Sequence, residues 1–242
     1  GWQMNGGRML LIDTQLEGKI NASGTEHTLL AGLDVQRNDT SQSTWSGVTA
    51  AFDVYNPVYG NFTPPTPSQL TRKPGVVQKQ LGFYAQDQIK WGRWTATLGL
   101  RHDSAQTDTE GRPASAVDDK VWTKRAGLTY QMDGGWAPYA GYSESFQPLG
   151  GVDVYGTPYK RQRGEQWEAG VKWQPPGQGI SAFAAVYTLR EKNRKTSDPT
   201  NPLNSLQIGE VKVNGMEAEV QASLARQWDF TLGYAYTDAK IS

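Results

Sequence analysis

Few side chains in this sequence combine the types and the spacing that catalysis needs. The arrangement nearest to a catalytic dyad is His102 followed by Asp103. Both belong to an alternating run that predicts a β-strand, and adjacent strand residues point to opposite faces, so these two side chains do not form a dyad. The other histidine, His27, lies beside a predicted turn, and no Ser-containing nucleophile elbow is present. The sequence therefore predicts neither an enzyme nor a metal or cofactor site.

The composition predicts a folded protein without a bulk charge. The 242 residues include 24 Lys and Arg and 24 Asp and Glu, so no net charge recruits nucleic acid. The absence of Cys excludes disulfides and thiolate metal sites. No apolar run reaches the roughly 18 residues of a transmembrane helix, and the chain opens without the pattern of a signal peptide. A β-barrel needs neither in its mature body.

Apolar and polar residues alternate along ten predicted β-strands. In the hairpin at 80–103, Leu81, Phe83 and Leu98 share an apolar face, Arg101 lies on the polar one, and Asp87 alone breaks the pattern. The predicted strands cover roughly 10–20, 26–38, 77–91, 93–107, 119–132, 135–147, 164–174, 179–193, 208–224 and 226–241. Many are longer than the roughly 9 to 11 residues that cross a tilted bilayer.

The connections between these strands alternate between short turns and long loops. Five of the nine tryptophans lie near the short turns, as in the aromatic girdle of a membrane interface: Trp91, Trp94, Trp136, Trp173 and Trp228. Charges of both signs occupy the polar faces, which suits a hydrated lumen better than a dry core. We therefore predict an all-β, antiparallel, up-and-down transmembrane barrel. A passive porin shares these features, and a soluble β-sandwich shares the alternation, so both remain alternatives at this stage.

Seven segments in order resemble the barrel of TonB-dependent siderophore receptors of the ferrichrome and ferrioxamine type. They are YAQDQIKW (84–91), TLGLRHD (97–103), PYAGYSESFQP (138–148), GEQWEAGVKW (164–173), KNRKTSDP (192–199), GEVKVNGMEAE (209–219) and YAYTDAKI (234–241). The resemblance implies an outer-membrane receptor of Gram-negative bacteria that takes up ferric siderophores with energy delivered through TonB. It implies a barrel of about 22 strands around a plug domain. Residues 1–242 would then be a partial barrel of about ten strands, with the plug and its TonB-contacting segment outside this chain.

The family's ligands enclose iron in oxygens and carry an apolar backbone, so aromatic walls on the outer loops are the expected binding groups. The candidates are Trp45, Phe52, Tyr55, Tyr59 and Phe62 in the first long loop, with Tyr155 and Tyr159 in a later one. Packing of these rings against neighbouring loops is an equally weighted alternative. Lys160, Arg161 and Arg163 form a basic cluster beside Tyr159. Its positive charge could attract an anionic ferric complex, but a solvated loop or the phosphates of lipopolysaccharide is the favoured interpretation. The expected partners are thus a ferric siderophore, the TonB complex, and outer-membrane lipid.

Overall fold

A computed structural model describes residues 2–45, 53, 55–56, 64–153, 155–200, 205–207, 209–225 and 228–241. Ten long strands dominate these residues: β1 (Trp2–Ala22), β2 (Thr25–Trp45), β4 (Val76–Trp91), β5 (Trp94–Thr109), β6 (Val117–Tyr130), β7 (Trp136–Gln147), β8 (Gln162–Trp173), β9 (Ile180–Lys192), β12 (Glu210–Ala225) and β13 (Trp228–Ile241). The short strands are β3 (Thr71–Arg72), β10 (Lys195–Ser197) and β11 (Ser205–Gln207). Single helical turns cover Pro67–Gln69, Pro113–Ser115 and Asp133–Gly135. Within these described ranges, no helix is long and apolar enough to span a membrane.

The long strands form one antiparallel sheet in which each pairs with its neighbour along the chain. The order is β1-β2-β4-β5-β6-β7-β8-β9-β12-β13, with β3 beside β2, while β10 and β11 form a separate pair. Among the described residues, β1 and β13 each pair on one side only, so the sheet is an open arc. This order confirms the predicted up-and-down topology, with the long loops at one end of the sheet and the short turns at the other.

The first strand is longer than the sequence predicts. The sequence predicts the first strand only from about residue 10, yet β1 starts at Trp2, includes Gly6 and Gly7, and pairs with β2 without a break as far as Trp45. A continuous partner strand satisfies the backbone groups of the two glycines, which outweighs their weak strand propensity. Trp45, assigned to the first long loop from the sequence, consequently lies at the end of a strand.

Side chains alternate between an apolar and a polar face as predicted. On the apolar face, Leu81, Phe83, Leu98 and Trp122 are exposed. Exposed large apolar side chains in such number fit a surface that faces lipid. At the short-turn end, the rings of Trp91 and Trp94 stack with centroids 6.2 Å apart. Trp136 and Trp173 stack in the same way at 5.6 Å, so cross-strand pairing assembles the predicted girdle.

On the polar face, long side chains lie over glycines of the neighbouring strands. A Cβ on Gly32 would overlap the ring of Tyr84, and one on Gly82 would overlap the Arg101 guanidinium. Tyr187 covers Gly215 in the same way. The glycines are therefore required here by close approach, and the side chains that cover them are held flat against the sheet.

Arg101 is the centre of a polar network on this face. Its guanidinium donates to Asp34 at 2.5 Å and to Asp103 at 2.5 Å, across three adjacent strands. Asp103 is 1% exposed and also accepts from Gln80 at 2.8 Å. Tyr84 donates to Asp13 of β1 at 2.8 Å. Charged groups of this wall thus make hydrogen bonds and ion pairs along it.

Candidate functional site

The two histidines do not form a catalytic centre. His102 lies on the apolar face with its ring 4.7 Å from that of Trp122, whereas Asp103 lies on the polar face, as predicted from the alternation. His27 instead contacts Asp87, with Nδ1 and Oδ2 2.8 Å apart. The carboxylate that breaks the apolar pattern of β4 thus has a partner on β2. Each histidine is occupied by a packing or hydrogen-bond partner, and neither adjoins the other.

Thr25 completes a hydrogen-bonded chain with this pair. Its hydroxyl lies 3.0 Å from His27 Nε2 and 2.5 Å from the carbonyl oxygen of Ala22. The order carboxylate, imidazole, hydroxyl is that of a catalytic triad. The Thr25 hydroxyl, however, donates its hydrogen bond to the turn between β1 and β2. This series of hydrogen bonds therefore stabilises the turn and the pairing of β2 with β4.

The long loop after β7 folds back over the polar face of the sheet. Gln78 donates from Nε2 to the Pro148 carbonyl at 3.4 Å, and a Cβ on Gly150 would lie 2.6 Å from Thr107 Cγ2. Thr107 and Val121 are almost completely buried. Here, at the long-loop end, the described part of the chain buries a small core between a loop and the sheet.

The tip of this loop is a small hairpin that presents Tyr155. Val152 and Pro158 form an isolated bridge, and the Asp153 N–H donates to the Thr157 carbonyl at 2.9 Å. Asp153 Oδ1 accepts from the N–H groups of Tyr155 at 2.9 Å and Thr157 at 2.8 Å. Tyr155 is 86% exposed. Asp153 thus closes the turn with side-chain hydrogen bonds, whereas the Tyr155 side chain is exposed at its tip.

Tyr159, four residues later, lies on the packed side of the same loop. It is 4% exposed, and its hydroxyl donates to the Ser205 carbonyl at 3.0 Å. Lys195 Nζ lies 4.5 Å from the ring centroid, a cation–π distance. Burial raises the pKa of the Tyr159 phenol. The structure therefore separates Tyr155 and Tyr159, which the sequence placed in one binding group.

Gln207 joins this loop to the long loop after β9. Its amide Nε2 donates to the carbonyls of Lys160 at 2.7 Å and Asn193 at 2.9 Å, while its Oε1 accepts from the Lys160 N–H at 2.8 Å. Arg161 of the basic cluster donates to Asp119 of β6 at 2.8 Å. These contacts make the two loops a single unit fixed on the sheet. We call residues 148–153 and 155–161, with 193–200 and 205–207, the loop platform.

The sequence pattern did not reveal the residues that build the platform. Asp119 and Asn193 lay at the ends of predicted strands, and Gln207 lay at the end of a predicted long loop. Each binds a residue from another loop or strand, so no local spacing marks them.

In the first long loop, the structure describes Tyr55 among the candidate ligand-binding residues. Asp53 Oδ1 accepts from the N–H groups of Tyr55 at 2.9 Å and Asn56 at 3.3 Å, and Tyr55 is 99% exposed. Trp45 pairs with Trp2 at the end of the β1–β2 ladder. The remaining candidates lie outside the described residues: Phe52, Tyr59 and Phe62. Among the candidates that the structure describes, Tyr55 and Tyr155 are thus those whose rings are almost fully exposed.

Residues 3–242 match the family model described as "TonB dependent receptor-like, beta-barrel". The ferrioxamine B receptor of Salmonella typhimurium is 35% identical over 246 residues, which cover 99% of this chain and 34% of the relative. The ferrichrome outer membrane transporter and phage receptor of Escherichia coli is 35% identical over 240 residues, covering 96% of this chain and 32% of the relative. The chain spans about a third of the length of the curated relatives that it matches.

Solved structures show the same fold. The ferric preacinetobactin receptor from Acinetobacter baumannii superposes with a TM-score of 0.81 at 17% identity, over 99% of this chain and 37% of that one. The ferripyoverdine receptor of Pseudomonas aeruginosa gives 0.77 at 21% identity, over 99% of this chain and 33% of that one.

The open arc is accordingly part of a membrane β-barrel, with its apolar face toward lipid and its polar face toward the lumen. The chain belongs to the TonB-dependent receptor β-barrel family, whose members are proteins of the Gram-negative outer membrane.

Proposed function

We propose that this chain forms part of the barrel of an outer-membrane receptor that takes up ferric siderophores with energy delivered through TonB. Relatives that are 35% identical across nearly the whole chain are receptors for ferrioxamine B and ferrichrome. The chain supplies barrel wall and outer loops to such a receptor. On this proposal, the plug and the segment that contacts TonB lie in the remainder of the protein.

The observation that carries this proposal is the exposed tyrosine on the loop platform. Tyr155 stands on a turn closed by five hydrogen bonds and a strand bridge, in a loop that is fastened to the lumenal side of the sheet. A ferric siderophore presents an organic shell rather than bare iron, so a receptor needs aromatic surfaces and hydrogen-bond donors, not metal ligands. The platform supplies such a surface at the long-loop end, where a ligand would arrive from outside. Trp45 and Tyr55, with Phe52, Tyr59 and Phe62, remain proposed members of this aromatic surface, which Tyr159 supports from its buried position on the packed side of the loop.

Lipopolysaccharide is a second proposed partner, at the outer rim of the apolar face. Arg190, Lys212 and Lys240 lie side by side on β9, β12 and β13, next to the long loops. Cations in adjacent positions repel each other unless anions lie between them. Lys240 pairs with Asp238 at 2.8 Å. The phosphates of outer-leaflet lipid would supply further anions for these three cations. They would also bind Lys160 and Arg163 of the basic cluster.

The proposed transport is tested with the full-length receptor in a strain that lacks its own ferric-hydroxamate receptors. We expect uptake of iron-55 supplied as ferrioxamine B or as ferrichrome, and loss of that uptake when TonB is deleted. Uptake that continues without TonB would contradict the proposal and support a passive porin. Absence of uptake for both chelates, with receptor present in the outer membrane, would exclude hydroxamate transport.

A further inference from the structure

Several long side chains on the lumenal, polar face cross a neighbouring strand instead of standing up from the sheet. Side chains in a strand ordinarily stand roughly perpendicular to the sheet. Each of these side chains instead lies over a glycine of the adjacent strand, in the space that a Cβ on that glycine would occupy. The pairs are Tyr84 over Gly32, Arg101 over Gly82, Arg125 over Gly99 and Tyr187 over Gly215. We call Tyr84, Arg101, Arg125 and Tyr187 the lumenal straps.

Each strap is fastened to a strand beyond the glycine that it covers. Tyr84 of β4 crosses β2 and donates to Asp13 of β1 at 2.8 Å. Arg101 of β5 crosses β4 and donates to Asp34 of β2 at 2.5 Å. The other two straps reach Gln86 of β4, from Arg125 of β6, and Thr237 of β13, whose Oγ1 lies 3.2 Å from the hydroxyl of Tyr187 of β9. The polar ends of the straps are therefore bonded within the wall, which holds these side chains flat.

The glycines lie directly opposite the straps in three of these pairs of the sheet register. They are Gly32 with Tyr84, Gly99 with Arg125, and Gly215 with Tyr187. Glycine weakens a strand, because its backbone loses more entropy on folding and it has no side chain to pack. The sheet therefore accepts a weak strand former at the positions that a long side chain must cross.

The lumenal positions around the straps carry mostly short side chains. On β5, β6 and β7, alternation places the following residues on the same face as Arg101 and Arg125: Thr95, Thr97, Thr123, Gly127, Gly141 and Ser143. Because the straps lie flat and the residues around them are short, the middle of this wall projects little into the lumen.

The proposed function requires movement along this wall. A chelate that crosses the membrane inside a barrel passes through the lumen, since the outer face of the barrel is covered by lipid. Sites for small organic ligands have volumes of about 300–1,000 Å³, so a chelate needs considerable clearance in a lumen that also holds a plug. A ring or a guanidinium that stood up from the wall would occupy part of that clearance.

We propose that the glycines under the lumenal straps keep the wall clear for translocation, so that they control the rate of uptake and not the affinity for the chelate. This inference rests on the proposed function and assigns a transport step to residues that contact no ligand. They are positioning residues, because they act through the straps. An alanine at such a position forces the strap off the wall and into the lumen, away from the outer loops where a chelate first binds.

Gly99→Ala in the full-length receptor tests this proposal. The added Cβ would lie 2.8 Å from both Cγ and Nε of Arg125, so the Arg125 side chain must leave its place on the wall. Iron-55 supplied as ferrioxamine B or as ferrichrome measures two steps: binding to de-energised cells gives the Kd, and uptake by energised cells gives the maximal rate per receptor. We expect an unchanged Kd and a maximal rate that falls about threefold or more, as for a step that follows binding.

Two further variants separate loss of clearance from distortion of the strand. Gly99→Ala combined with Arg125→Ala should regain the wild-type rate, because no guanidinium remains to be raised. Gly127→Ala is the matched control, since it adds a methyl group to the same wall with its nearest neighbour, the Ala140 carbonyl oxygen, 3.8 Å away. Its rate should equal that of the wild type. A double variant as slow as Gly99→Ala, or a Gly99→Ala receptor with the wild-type rate, would overturn the proposal.

Thr123→Tyr tests the same clearance without changing a glycine, and it decides the matter if Gly99→Ala does not reach the outer membrane. Thr123 lies opposite Arg101 and not opposite a glycine, so the introduced ring has no space there in which to lie flat. It should slow uptake and leave the Kd unchanged, and uptake at the wild-type rate would refute the proposal.

The wild-type receptor decides which statement fails. If it transports a chelate and the Gly99→Ala and Thr123→Tyr variants transport it equally fast, the clearance inference is refuted while the receptor function stands. If the wild type transports neither ferrioxamine B nor ferrichrome, the proposed function fails, and the inference that rests on it fails with it.

Discussion

Removal of the Arg101 guanidinium should be among the most destabilising single changes on the polar face. Arg101 makes three hydrogen bonds to Asp103 and two to Asp34. Both carboxylates are largely buried, at 1% and 8% exposed. Arg101→Ala leaves two neighbouring negative charges that have lost their counter-ion, in a place where water reaches them poorly.

The expected magnitude follows from this burial. Breaking a buried ion pair by removing one partner costs about 3–5 kcal/mol, because the remaining charge is left uncompensated. The Arg101 side chain is 30% exposed, so some water can replace it, and we expect the lower end, about 3 kcal/mol. Arg101→Lys keeps the charge but loses the planar fork, and should lie between the wild type and the alanine variant.

Guanidinium unfolding of the full-length receptor in lipid vesicles, followed by tryptophan fluorescence, measures these free energies. Arg125→Ala is the matched control, because Arg125 also lies across a glycine of the same sheet but is exposed and donates to neutral Gln86. Its loss should cost less than about 1 kcal/mol. Equal costs for Arg101→Ala and Arg125→Ala would refute the reasoning, since burial of the carboxylates would then have no measurable consequence.

Two further predictions use the same unfolding assay. Gly32→Ala should lower the free energy of unfolding by about 1–3 kcal/mol, since the added Cβ overlaps the ring of Tyr84 and must displace it. Gly233→Ala should be nearly neutral, because open space surrounds that position. Equal effects of the two substitutions would contradict the close approach at Gly32. His27→Leu should lower the free energy of unfolding by about 2 kcal/mol, because it leaves the Asp87 carboxylate unpaired on the lipid side. The double variant with Asp87→Leu should be at least as stable as the wild type. A double variant less stable than His27→Leu would contradict this reasoning.

The alternation of side chains makes most of the fold readable from the sequence. A strand has a period of two, so each residue's face follows from its neighbours alone, and the ten long strands, their two faces and the tryptophan girdle are all confirmed. The length alternation of the connections likewise predicted which end carries the long loops. These features depend on contacts between neighbouring residues and neighbouring strands, which the chain order already defines.

The start of β1 and the partner of Asp87 were decided only by pairing with another strand. The sequence predicted a strand only from about residue 10, but β2 supplied the hydrogen bonds that keep Gly6 and Gly7 in the ladder. Asp87 looked like an isolated defect in an apolar face, and its partner His27 is 60 residues away along the chain. Local propensity carries no information about a partner at that distance.

The candidate site depended still more on tertiary structure. The sequence selected Tyr55, Tyr155 and Tyr159 as loop aromatics without separating exposed rings from buried ones, because residue type and position in a loop were all that it offered. The structure presents Tyr155 and buries Tyr159, through a contact with Ser205 that spans 46 residues. Loops have no periodicity from which a face can be deduced, and the two ends of such a contact meet only after the strands between them have aligned. The sequence by itself determined which residues line the lipid and the lumen, whereas the folding of loop onto loop decided which rings remain free to bind.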